Sequence, residues 1–420
     1  MAARIIAGID LGSSKITSVI AELARDEIIV RGINWTPAKS IVKGVVRDLN
    51  LCAREVNASF SGAVYSSGVH AEEVHLAFTC KDLTSVPLEG SIRLSGVEHE
   101  ITQEDVEQLM NSLEPPSRHQ EYERLQRIVQ EFIVNETDGV RDPVGMFGEV
   151  LAVRAQDVLG PPWLLANYKK VLERVGLEAK SLVPSVLAAG RAVLTEEEMN
   201  TGCVLLDLGH GTTDIALYRE GSPLFTATIP IGGSNIDVDL MEGLGVNLEE
   251  AQRVKKSFVK AWVQADAADA DEVVDIKFFG HREYAKIKKQ KIYEIVLPRL
   301  AEWAELIKER LYSSGYMHTI PGGVVVTGGG AYMREVTSFF THHLSKPVRI
   351  GVPRGFSHLF EEFRAPQFAS ALGIAAFAAF MAEESRSEPY PLTLLEEIGR
   401  FFGDLWGSLP WAQKRNHEGK

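Results

Sequence analysis

The stretch Leu205-Leu206-Asp207-Leu208-Gly209-His210-Gly211-Thr212-Thr213-Asp214 limits what this chain can fold into more than any other. Apolar residues at 204–206 read as a strand running into a Gly-rich turn, and 215–218 reads as a second strand leaving it. At Gly209 and Gly211 the reading is a backbone with φ > 0 that brings N–H groups close to an anion. Asp207, at the strand tip, is placed to hold the water shell of a magnesium ion on that anion. One such turn fits an ordinary hairpin equally well, but the pattern recurs. Ile9-Asp10-Leu11-Gly12-Ser13-Ser14-Lys15 follows an apolar strand at 5–7 and precedes another at 16–20. Two such units suggest a duplicated architecture. Facing each other, their turns would clamp a phosphate chain from both sides.

A third segment supports nucleotide binding. Val324-Val325-Val326-Thr327-Gly328-Gly329-Gly330-Ala331 reads as a buried strand ending in three glycines, with a helical pattern from Met333. Such glycines let backbone approach a flat ligand or a phosphate, with a helix N-terminus behind. The G-x-G-x-x-G spacing and the G-K-[ST] ending are both missing, which rejects a Rossmann or P-loop site.

These three segments, in this order, resemble the phosphate-1, phosphate-2 and adenosine motifs of the actin-like ATPase superfamily. In detail the chain is similar to one branch of it, the FtsA family of bacterial cell-division proteins. The resemblance implies an α/β fold, the duplicated actin-like ATPase fold with a 1C insert, a 2B lid and a C-terminal amphipathic helix. Its subdomains would be 1A at 1–81, 159–200 and 368–382, 1C at 82–158, 2A at 201–235 and 298–367, and 2B at 236–297. A linker at 383–392 and a membrane-targeting helix at 393–411 would follow. The most family-specific signal is Arg141-Asp142-Pro143-Val144-Gly145-Met146-Phe147-Gly148, which resembles the N-P-V-G-x-x-G loop of the 1C subdomain. Chemically that loop is a Pro- and Gly-fixed turn between strands.

By the same resemblance the cofactors are ATP and Mg²⁺. Asp10 and Asp207 would organise the ion through water. Gly12, Ser13, Gly209, Gly211 and Thr212 would hold the phosphates, with Lys15 pairing with them, and Ser14, Thr213, Gly232 and Gly233 would also line the nucleotide. Gly328, Gly329 and Gly330 would back the adenosine. Gln252 and Lys255, at i and i+3 on one helix face, stand where the superfamily has a Glu and a Lys on the ribose and ring. His210 stands where the family usually has Gly. Hydrolytic relatives place a Glu or Gln near 183–185, but this chain has Val183 and Ser185, so weak ATPase activity at most is expected. The implied partners are FtsZ, further copies of the chain in an actin-like polymer, other division proteins and the cytoplasmic membrane surface. Two alternatives stay open: a pilus-assembly adaptor of the PilM type, and a small-molecule kinase or phosphatase of the same superfamily.

Composition bounds the remainder. The 420 residues suit two to four domains, and 45% hydrophobic with 24% charged residues is ordinary for a soluble globular chain. A formal net charge of −13 argues against nucleic-acid binding. Cys52, Cys80 and Cys203 are odd in number and widely spaced, as expected of packed free thiols in a reducing compartment. Met1-Ala2-Ala3-Arg4 leads straight into a core strand, so no signal peptide is expected.

Between the motifs, helices are expected at 49–62, 105–113, 164–175 and 298–311, with others opening at Pro184 and Phe368. Thr102 to Asp105 reads as a capping box. The apolar run 369–382 is too short to span a bilayer and reads as a buried helix. Charges and two prolines at 383–391 read as a linker. Beyond it Leu394, Leu395, Ile398, Phe401, Phe402, Leu405, Trp406 and Leu409 form one apolar stripe at helical spacing. Such a stripe suits a membrane interface or a protein groove. Its polar face carries Glu396, Glu397, Arg400 and Asp404, so lipid binding would rest on the aromatic stripe more than on charge.

Overall fold

Residues 203–208 and 324–327 are apolar enough to be buried on both faces, and each forms a strand at the centre of a sheet. A computed structural model describes residues 4–24, 27–96, 98–119, 121–262 and 270–387. In the first half, strands Arg4–Leu11, Lys15–Leu23 and Ile28–Pro37 form an antiparallel meander. Glu73–Phe78 runs parallel to the first of them, Ala179–Pro184 lies outside that, and Phe356–Ser357 closes the far edge. The second half repeats the plan. Cys203–Leu208, Thr213–Arg219 and Ser222–Ile229 form the meander, and Val324–Thr327 and Val348–Ile350 add in parallel. Leaving aside the added edge strand, both sheets have the same order: third, second, first, fourth, fifth.

The register makes the repeat exact at the residue level. Asp10 pairs with Thr17 and Leu11 with Ile16, just as Asp207 pairs with Asp214 and Leu208 with Thr213. Each hairpin is therefore closed by a turn of equal length, 12–15 and 209–212.

An insert follows the Glu73–Phe78 strand. Its antiparallel sheet runs Thr84–Arg93, Val150–Gly160, Glu123–Val134, Thr137–Val140 and has a core of its own around Leu109, Phe132 and Leu151. Helix Gln103–Ser112 opens with the capping box of Thr102 and Asp105. Arg127 fastens that helix to the sheet. Its guanidinium pairs with the buried Asp157 at 2.7 Å and donates to the carbonyls of Met110 and Leu113. Such a pair repays its desolvation only with further hydrogen bonds, and here the two carbonyls supply them.

Helices Ser185–Val193 and Ala369–Ser387 cross where the halves meet. Their contact is so close that a Cβ on Gly373 would overlap the Ala188 carbonyl.

Several boundaries differ from the sequence expectation. The first helix runs Leu49–Ser67 and ends at Gly68 with φ 67°, because Gly62 is a packing site against Asn34 and not a stop. Pro298 does not open a helix but lies inside Lys289–Ser313, whose buried stripe, Ile292 to Leu311, continues across it. The second and third glycines already lie in a 3₁₀ turn, Gly329–Tyr332, and the α-helix starts only at Val336, behind Glu335 with φ 61°. The last helix extends through 383–387, where a linker was expected. The stripe at 393–411 lies outside the described residues. No described helix is long and apolar enough to cross a membrane. All three cysteines are buried free thiols.

Candidate functional site

The two hairpin turns face each other across the cleft between the halves. A Cβ on Gly211 would stand 3.1 Å from Ser13 Oγ and equally close to the Lys43 backbone. Gly44 N–H donates to Ser13 Oγ at 3.2 Å, and Lys43 Nζ donates across the cleft to the Pro230 carbonyl at 2.7 Å. Neither Gly209 nor Gly211 has the positive φ expected of it. Crowding makes glycine necessary instead. A Cβ at 209 would meet the Thr212 carbonyl at 2.8 Å, and one at 12 would meet the Lys15 carbonyl at 2.7 Å.

Three carboxyls and one ammonium converge here. Burial, reinforced by Asp207, raises Asp10 to about 7, with Lys15 and the Ser185 hydroxyl (3.3 Å) opposing. Burial raises Asp207 to about 6 against the Ser370 hydroxyl, which donates to it at 3.0 Å, and against Lys15. Asp214 is raised to about 7 by burial and by Asp207. Three hydroxyls resist that shift: Thr79 from the other half, Thr228 at 2.6 Å and Thr212 at 3.4 Å. Burial lowers Lys15 to about 8, with Asp10 and Asp207 opposing. Burial is the first cause at all three carboxyls, repulsion from Asp207 adds to it at Asp10 and Asp214, and a positive charge brought close would lower them.

A pH-dependent prediction follows for Asp214. Folded, it keeps its proton up to about pH 7, whereas an unfolded carboxyl releases it near 4. Across that window the folded state binds more protons, so stability falls as pH rises and the penalty is complete above pH 7. Asp214→Asn removes it. The variant is expected to be more stable than the parent at pH 8, by on the order of 1 kcal/mol or more, and to show no such gain at pH 4. Urea denaturation at the two pH values checks this.

The third segment packs against the second turn. Gly328 has φ 82°, and a Cβ there would overlap an Asp207 carboxylate oxygen. A Cβ on Gly330 would press on the Leu208 side chain at 2.6 Å, while Gly329 has nothing within 4 Å. Of the three, Gly329 alone presents an unobstructed backbone.

Helix Gly233–Leu244 also abuts this turn. The Gly233 and Ser234 N–H groups donate to the Gly209 and His210 carbonyls at 3.0 and 2.7 Å, and Gly232 N–H donates to Asn235 Oδ1. These amides lock the turn and are not open to an anion. Lys255, on helix Leu248–Phe258, donates to the Gly233 carbonyl at 2.8 Å and to Asp237 at 2.7 Å; Gln252 lies one turn earlier, half-buried. Burial pushes His210 below its ordinary range, helped by Lys255 and opposed by Asp237, so a neutral imidazole stands in the turn. The Thr213 hydroxyl is taken up by the Ile231 carbonyl and by the buried Trp303, leaving only its backbone toward a ligand.

Sequence reading missed Asp214, Thr79 and Ser370. Asp214 ends the quoted motif, and its register opposite Asp207 could have flagged it. Thr79 and Ser370 act across 135 and 163 residues and carry no local signal.

Two meander-plus-crossover sheets with facing Asp–Gly turns define an actin-like ATPase fold. The solved structure of a type IV pilus biogenesis complex, PilM-PilN, is similar at TM-score 0.60 and 16% identity, covering 89% of this chain and 98% of that one. MreB5 of Spiroplasma citri bound to ADP is similar at TM-score 0.53 and 15% identity, covering 92% and 99%. The family model for cell division protein FtsA matches 204–373, and the SHS2 domain inserted in FtsA matches 81–159. FtsA of Bacillus subtilis (strain 168) is 30% identical over 88% of this chain and 82% of its own length. FtsA of Pseudomonas aeruginosa is 28% identical over 89% of each. The chain belongs to the FtsA family of cell-division proteins.

Proposed function

We propose that this chain binds Mg·ATP between its two hairpin turns, turns it over slowly or not at all, assembles with copies of itself, and links FtsZ filaments to the cytoplasmic face of the cell membrane at the division site. The observation that carries the nucleotide part is the facing pair of turns, with Asp207 buried and Asp10 half-buried at their strand ends and Lys15 between them. Hard carboxylate oxygens suit Mg²⁺ held through its waters. An ion there would also lower the three carboxyls that burial raises. Phosphates would lie against Gly12, Ser13, Ser14, Gly209, Gly211 and Thr212, and adenosine against Gly329, with Gln252 and Lys255 near the ribose. Ser185 donates its hydroxyl to Asp10 and supplies no base for an attacking water, which supports slow turnover.

Membrane attachment rests on the apolar stripe from Leu394 to Leu409. An adaptor role like that suggested by the PilM-PilN likeness is the second reading. The two part at the membrane. Co-sedimentation with vesicles is expected for the full chain and lost on truncation after Pro391, with little dependence on anionic lipid. FtsZ should pellet with the full chain only. Equal partition of both versions to the supernatant would move the adaptor reading forward.

A further inference from the structure

Lys15 occupies an unusual place. Its ammonium is shielded from solvent and has no hydrogen-bond acceptor among the described residues, and it lies 3.5 Å above the centre of the Phe368 ring. The other lysines around the cleft are engaged, Lys43 with the Pro230 carbonyl and Lys255 with Asp237 and the Gly233 carbonyl. Phe368 belongs to a short strap, 366–370, that touches every motif of the cleft. The Pro366 carbonyl accepts from Gly328 N–H at 3.2 Å and from the Thr327 hydroxyl at 3.1 Å. Ser370 donates to Asp207. Phe368 itself is buried and faces Lys15 of the first turn.

We infer that Phe368 is a positioning residue for nucleotide binding: its ring holds the Lys15 ammonium at contact, and phosphate binding must draw the ammonium off it. The inference rests on the nucleotide reading above. An ammonium with no hydrogen-bond acceptor among the described residues is a poorly satisfied group, and the ring face holds it at contact while Asp10 and Asp207 attract it from farther off. A phosphate oxygen offers a charge-assisted hydrogen bond that the ring does not. Binding therefore exchanges one contact for a stronger one, and the ring's attraction is subtracted from the affinity. Ligands without phosphate leave Lys15 where it is.

The test is calorimetry of the full chain with Mg·ATP and, separately, with adenosine. Phe368→Leu is expected to tighten Mg·ATP roughly 3- to 30-fold, the range a partly to fully desolvated cation–π contact supplies, with adenosine affinity unchanged. Phe368→Tyr keeps the ring face and should behave as the parent. In a Lys15→Met background the Phe368→Leu effect should vanish. An unchanged ratio of ATP to adenosine affinity, or a tyrosine variant that behaves like the leucine one, overturns the inference. Phe368→Met repeats the test if the leucine variant loses its fold. A parent that binds neither ligand overturns the nucleotide reading itself, and the inference with it.

Discussion

Gly373→Val is expected to destabilise the protein by about 3 kcal/mol or more, the upper end of overpacking costs. A Cβ at this position falls on the Ala188 carbonyl and the neighbouring Ala189 nitrogen, which are backbone atoms inside helix Ser185–Val193 and cannot rotate away. The two helices must separate. The consequence extends beyond stability, because each helix holds one aspartate of the cleft. Ser185 opens the first helix and donates to Asp10; Ser370 lies near the start of the second and donates to Asp207. Forcing them apart should therefore lower both the urea midpoint and the affinity for Mg·ATP. Gly8 makes a useful contrast. A Cβ there meets the branch methyl of Ile374, a side-chain atom and not backbone, so Gly8→Ala should cost less.

Asp207→Asn is expected to weaken Mg·ATP by about 10- to 100-fold, the range seen when a group that orders a metal's surroundings is lost, and to leave adenosine affinity in place. The substitution keeps the shape of the side chain and the Ser370 hydrogen bond while removing the charge. Stability of the empty protein should move the other way. Burial raises the folded carboxyl to about 6, so the ionised form is disfavoured at pH 8, and the amide has no such penalty. Weaker binding together with a higher unfolding midpoint at pH 8 is the signature of a charge held in readiness for a cation. Unchanged affinity by calorimetry would count against the phosphate site.

Much of this fold is legible in the residues because the central strands are apolar on both faces and end in Asp–Gly turns. Residues 203–208 show both features, and so does the repeat at 9–15. What sequence alone misjudged has physical causes. Gly62 reads as a helix stop, yet it is glycine because Asn34 lies against the helix there. Pro298 reads as a helix start, yet a continuous buried stripe carries the helix through it at the cost of one backbone hydrogen bond. Gly209 and Gly211 read as left-handed positions, whereas the neighbouring backbone is simply too near for a Cβ. Ser370 and Thr79 have no periodic or motif signal, since each acts only where distant segments meet. The two aspartates announce themselves by repetition, while the hydroxyls that tune them do not.

The central claim is that the two turns form one nucleotide site, and a crystal structure of the full chain with Mg²⁺ and a non-hydrolysable ATP analogue tests it most directly. Phosphates between 12–15 and 209–212, a metal joined through water to Asp10 and Asp207, and Lys15 lifted from Phe368 are the predicted result. A cleft that stays empty at saturating ligand, or nucleotide bound elsewhere on the molecule, would contradict it.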